Sequence, residues 1–127
     1  MSVLIVDDSE TLRKRLKEAL SRIRTDLEFY EASSGEEALK VFSSEMQDTV
    51  ILDISLPDIS GIEILKEIKK SDPGTVVIIF TSYPSAEFRE LCISFGADYF
   101  FDKCGDYRNM LELFRRNFPE NKLLFRL

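Results

Sequence analysis

The sequence predicts an α/β protein in which a parallel sheet carries helices on both faces. Three observations lead there. Short β-branched runs alternate five times with stretches whose apolar residues recur at helical spacing. The strand-like runs, "TVVIIFT" above all, are apolar without alternation, as strands covered on both sides must be. The chain has 127 residues, one domain's worth, and shows no internal repeat. Five βα units of this length most often take the flavodoxin-like strand order 2-1-3-4-5 with right-handed crossovers, a (βα)5 three-layer sandwich.

Each element has its own signal. Residues 3–6 form a short apolar strand that runs into Asp7 and Asp8. Leu12, Leu16, Ala19, Leu20 and Ile23 then stripe the first helix. A weaker second strand holds Phe29 and Tyr30. "SSGEEALKVFSS" reads as a helix with a serine N-cap and with Ala38, Val41 and Phe42 turned inward. "TVILD" is the third strand, and Ser60-Gly61 opens a helix marked by Ile62, Leu65 and Ile68. "DPG" is a turn before the fourth strand, residues 76–81. Phe88, Leu91, Cys92 and Phe95 give a fourth helix, read as a core-facing stripe, with Gly96 as its C′ residue. "DYFFD" is the fifth strand, and Met110, Leu111 and Phe114 stripe the last helix.

Composition removes several function classes. The net charge of −6 disfavours nucleic acid and anionic membranes as partners. Apolar runs are too short to span a bilayer, and Met1–Val6 leads straight into Asp7 without a signal-peptide pattern, so a cytoplasmic location is expected. The absence of histidine excludes Ser-His-Asp and Cys-His catalysis, most zinc sites and a phosphohistidine carrier. Cys92 and Cys104 lack metal-type spacing and read as reduced thiols.

Ligands of open α/β sheets bind beyond the carboxyl ends of the strands, at the switch in strand order. Strand 1 ends in Asp7 and Asp8, strand 3 in Asp53, strand 4 in Thr81 and Ser82, strand 5 in Asp102 and Lys103. The order 2-1-3-4-5 makes strands 1 and 3 neighbours, so Asp7, Asp8 and Asp53 share one crevice with Thr81 and Lys103 on its far side. Carboxylates so close repel one another unless protonated or bridged by a cation. Oxygen ligands in a partly open site suit Mg²⁺. An aspartate can act as a nucleophile toward phosphorus while a metal, a lysine and a hydroxyl hold the phosphoryl oxygens. This is a site for phosphoryl transfer onto Asp53.

The motifs "LIVDDS", "VILDISLPDISG", "IIFTS" and "GADYFFDK", in order over residues 3–118, resemble those of the response-regulator receiver domain of two-component signalling. The resemblance implies a receiver domain over residues 1–118 and a tail at 119–127. It implies phosphorylation of Asp53, with Mg²⁺ held by Asp8, Asp53 and the Ser55 main-chain carbonyl and by Asp7 through a water. It makes Thr81 and Lys103 the phosphoryl-binding pair, Thr81 and Phe100 the switch, and Ser55 and Tyr83 the residues that tune hydrolysis. The implied donor is a sensor histidine kinase or histidine phosphotransfer protein. The implied output is a change in the face built by helix 4, strand 5 and helix 5, read by a downstream protein; a phosphorylation-dependent homodimer is compatible with it. The chain would be a stand-alone regulator that catalyses its own phosphotransfer and autodephosphorylation without being a turnover enzyme.

One departure stands out. Where the family has proline after the lysine, this chain has Cys104. A cis non-proline bond costs about 3–4 kcal/mol, so either a retained cis bond or a shifted loop is expected there. Two rival functions fit the same residues. One is a Mg²⁺-dependent phosphohydrolase with an Asp nucleophile, although such enzymes usually want a second Asp where Ser55 stands. The other is a receiver-like scaffold that is not phosphorylated.

Overall fold

The computed structural model describes residues 1–116. The expected domain limit at 118 and the tail at 119–127 lie outside the described residues. Five strands alternate with five helices: β1 (Ser2–Val6), α1 (Glu10–Ile23), β2 (Glu28–Ala32), α2 (Gly35–Ser44), β3 (Thr49–Leu52), α3 (Gly61–Ser71), β4 (Val76–Thr81), α4 (Ala86–Ser94), β5 (Tyr99–Asp102) and α5 (Tyr107–Leu113). All strand pairs are parallel, in the order β2-β1-β3-β4-β5. No helix among the described residues is long and apolar enough to cross a membrane.

Four helices open on a serine. The hydroxyls of Ser9, Ser34, Ser60 and Ser85 accept from the main-chain N–H groups of Leu12, Glu37, Ile62 and Phe88. Each such cap satisfies an amide that the helix cannot, typically worth about 1 kcal/mol. At the end of α4, Gly96 takes φ 100°. Its N–H reaches the Ile93 carbonyl and that of Ala97 reaches Cys92, both at 3.0 Å, the paired bonds of a Schellman cap.

Side chains of successive strand residues divide between two cores. Leu4, Val6, Val50, Leu52, Val77, Ile79 and Phe100 pack with Ala38 and Phe42 of α2, Ile64, Leu65 and Ile68 of α3, and Cys92 of α4. Val3, Ile5, Ile51, Ile78 and Phe80 pack on the other face with Leu16 and Leu20 of α1 and Met110, Leu113 and Phe114 beside them. This two-sided covering is why the strands carry so few polar residues.

The fourth helix corrects the sequence reading. Of its stripe only Cys92 is buried; Phe95 is half-buried, and Phe88 and Leu91 are 39% and 40% exposed. The helix packs over β5, the edge strand, so among the described residues its outer flank lacks a further strand to lie against. Helical spacing of apolar residues marks a face, and that face here is partly open to solvent.

Candidate functional site

The register of the sheet builds the site. Val6 pairs with Leu52, so the next residues, Asp7 and Asp53, leave adjacent strand ends together. The Asp53 N–H continues the ladder to the Val6 carbonyl at 3.0 Å. Asp7 is 3% and Asp53 5% exposed, whereas Asp8 faces solvent. Carboxylate oxygens of Asp7, Asp8 and Asp53 lie within 4.8 Å of one another.

Lys103 arrives from β5. Its N–H donates to the Thr81 carbonyl at 2.9 Å, carrying the β4–β5 ladder one residue past Asp102. Its ammonium lies 2.6 Å from Asp7 Oδ2 and 2.9 Å from Asp53 Oδ2. The lysine therefore reaches the crevice with cysteine in the place of proline. The loop behind it is fixed by hydrogen bonds: Cys104 N–H to Asp102 Oδ1 and Asp102 N–H to Asp106 Oδ2, both 2.9 Å, and Asp106 N–H to the Asp102 carbonyl at 2.8 Å.

The remaining carboxylate oxygens take main-chain donors, Ser9 N–H on Asp7 Oδ1 at 2.9 Å and Ser55 N–H on Asp53 Oδ1 at 3.2 Å. Burial pushes the Asp7 carboxyl above its usual range, opposed by Lys103 and the Ser9 amide. Burial alone would lower the Lys103 ammonium; its bonds to Asp7 and Asp53 outweigh this and hold it above its usual value, so it is a cation at neutral pH. One ammonium faces three carboxylates, which leaves an excess of negative charge. Hard oxygen donors with one side open to solvent at Asp8 fit a small divalent cation such as Mg²⁺.

Thr81 is fully buried at the end of β4, its hydroxyl accepting from the Tyr83 N–H at 3.1 Å. Phe100 is buried and pairs in register with Ile79, while Thr81 pairs with Asp102. Thr81 and Phe100 are thus diagonal neighbours on the face covered by α2, α3 and α4. The Arg89 guanidinium of α4 sits 5.9 Å from the Phe100 ring centre. Tyr83 is 60% exposed and lines a cavity of ≈ 450 Å³ with Ile54, Ser55, Leu56, Ser60 and Phe88. The fold thus brings Lys103, Asp7 and Asp53 into direct contact, with Asp8 at the open side and Thr81, Phe100 and Tyr83 along the neighbouring strand ends.

Gly61 serves the backbone after Asp53. Its N–H bonds the Ile54 carbonyl at 2.8 Å, and a Cβ there would stand 2.3 Å from the Asp53 carbonyl oxygen. Two residues escaped the sequence reading. Asp58 reaches the N-terminus of α2, accepting from Gly35 N–H at 2.8 Å and Glu36 N–H at 2.9 Å, and these amides hold its carboxyl below the usual range. Arg13 of α1 donates to the Asp7 carbonyl. Asp58 sits inside a recognised motif without a spacing that names its partner, and Arg13 looks like any cation of an amphipathic helix.

A doubly wound parallel sheet with an acidic crevice and a converging lysine at its switch point defines a class of phosphoryl- and metal-handling domains. The chain belongs to the response regulator receiver domain family, whose model matches residues 3–115. Sporulation initiation phosphotransferase F of Bacillus subtilis is 32% identical over 117 residues, which cover 92% of this chain and 93% of that protein. The receiver domain protein (CheY-like) from Methanospirillum hungatei superposes with a TM-score of 0.84 at 30% identity, over 95% of both chains. A cyclic di-GMP phosphodiesterase of Thermotoga maritima is 36% identical over 103 residues, 81% of this chain but only 27% of that protein. The match to the transcriptional regulatory protein TrcR of Mycobacterium tuberculosis likewise spans 38% of that protein, at 37% identity over 80% of this chain.

Proposed function

We propose that the chain is a phosphorylation-switched signalling module in which Asp53 accepts a phosphoryl group from the phosphohistidine of a kinase or phosphotransfer protein. The observation that carries this reading is the Lys103 ammonium 2.9 Å from Asp53 Oδ2 inside a cluster of three aspartates. An Asp53 carboxylate oxygen attacks phosphorus; the new P–O bond forms as the donor's P–N bond breaks, and the electron pair returns to the imidazole nitrogen. Lys103 offers its charge to the transferred group, and the Thr81 hydroxyl supplies a further donor once it turns from its local turn. Asp8, Asp53 and the Ser55 carbonyl would hold Mg²⁺ directly and Asp7 would act through a water; the ion supplies neutralisation of the phosphoryl oxygens.

The proposed output runs through the strands beside the crevice. The new charge at Asp53 draws Lys103 and Thr81, and the Thr81–Phe100 diagonal passes the shift to the face of α4, β5 and α5. Ile93, 50% exposed and one helical turn after the Arg89 that sits over Phe100, gives that face an exposed apolar side chain for a downstream protein. Ser55 and Tyr83 border the crevice and tune hydrolysis.

Incubation with acetyl phosphate and Mg²⁺, following both intact mass and released phosphate, tests the reading. One long-lived phosphoryl adduct per chain with little phosphate release is the expected result. Many phosphates released per chain would instead show an Asp-nucleophile phosphohydrolase, and no adduct would show an unphosphorylated scaffold.

A further inference from the structure

We propose that Arg13 is a positioning residue for the acidic cluster, fixing the peptide unit between Asp7 and Asp8 so that the Asp8 carboxylate faces Asp53. The inference rests on the metal-assisted reading of the crevice and adds to it a residue outside the cluster. The Asp7 carbonyl oxygen, which accepts from Arg13 Nη1, belongs to the peptide that joins Asp7 to Asp8. Every other polar group of Asp7 already has a partner: its N–H the Ala32 carbonyl at 3.1 Å, Oδ1 the Ser9 amide and Oδ2 Lys103. Turning the Asp7–Asp8 peptide would carry the whole of Asp8 away from the crevice, and the guanidinium holds the carbonyl that such a turn must move.

Arg13 is itself held. Its Nε lies 3.0 Å from Glu31 Oε1 on β2, and Lys17 Nζ grips the other oxygen at 2.8 Å. The Arg13 side chain is only 12% exposed. A planar guanidinium donates from two nitrogens along fixed directions, to the carbonyl on one side and the carboxylate on the other; a lysine ammonium is a point charge and cannot reproduce both. A positive charge this near a cation site would by itself weaken cation binding, and Glu31, shared with Lys17, offsets only part of it. Orientation and charge thus make opposite predictions, which a pair of substitutions separates.

Mg²⁺ titration by calorimetry on the wild type, Arg13→Lys and Arg13→Met, with circular dichroism and metal-free unfolding of each, is the test. Groups that orient metal ligands typically cost about 10–100-fold in affinity when removed. Both variants are expected to bind Mg²⁺ at least about tenfold more weakly than wild type, including Arg13→Lys, which keeps the charge. Arg13→Lys binding within about twofold of wild type, or Arg13→Met binding as tightly or more tightly, would overturn the proposal. If Arg13→Met fails to fold, Arg13→Lys alone decides. A wild type that binds no Mg²⁺ refutes the metal reading itself, an outcome distinct from a wild type that binds and variants that bind equally.

Discussion

Replacing Gly61 with alanine is the sharpest structural perturbation available. The added Cβ would lie 2.3 Å from the Asp53 carbonyl oxygen and 2.6 Å from Ile54 Cα. Both are main-chain atoms, so relief requires α3 to move off the end of β3 or the Asp53 loop to move with it. Overpacking typically costs about 1–3 kcal/mol, and contact with backbone rather than a flexible tip places this change at the upper end. Alanine returns about 0.5–1 kcal/mol because the unfolded chain loses less freedom. The net destabilisation is about 2–2.5 kcal/mol, or a fall in Tm of about 8–10 °C for a domain of this size. Urea and thermal unfolding measure it. Gly35→Ala is the milder comparison: its Cβ would meet Ile64 Cδ1 at 3.1 Å, a side-chain tip that can turn, and Ile59 Cβ at 2.9 Å, which moves with the loop that carries it. It should cost about 1 kcal/mol. A Gly61→Ala variant within about 0.5 kcal/mol of wild type, or no worse than Gly35→Ala, would refute the argument that this glycine lets α3 start against the Asp53 backbone.

Three further predictions concern other links. The Asp58 carboxyl is held low by the Glu36 and Gly35 amides, so its contribution is full above about pH 4 and is lost as pH falls through the lower folded-state pKa. The stability gap between wild type and Asp58→Ala, read by urea melts, should therefore narrow from pH 5 toward pH 2; a gap that widens on acidification would reverse the sign. Phe88→Ser and Leu91→Ser should each cost about 1 kcal/mol or less, since these side chains are only partly buried. A loss near 3 kcal/mol would make them core. Tyr83→Ala should change the dephosphorylation rate of labelled protein, because the ring borders the cavity beside Ser55; an unchanged rate removes its part in tuning hydrolysis.

Much of this was legible because strand-end chemistry and sheet order constrain each other. Once β1 and β3 are neighbours, Asp7 and Asp53 meet without any further assumption, and the serines at 34 and 60 marked where the apolar stripes of their helices begin. What failed was the burial expected for the apolar stripe of the fourth helix. An apolar stripe cannot tell a core from an exposed face, because the difference lies in whether another element covers it. Arg13 and Asp58 were invisible for a related reason. Arg13 acts on a carbonyl, which every residue has, and Asp58 acts on amides 22 and 23 residues away. Neither partner carries a side-chain signature that a sequence could display.

The central claim is that Asp53 is the phosphoryl acceptor. Mass spectrometry of wild type and Asp53→Asn after acetyl phosphate and Mg²⁺ treatment tests it most directly. The wild type should gain one phosphoryl group located to the peptide containing Asp53, and the variant should gain none. Equal labelling of the variant would contradict the assignment.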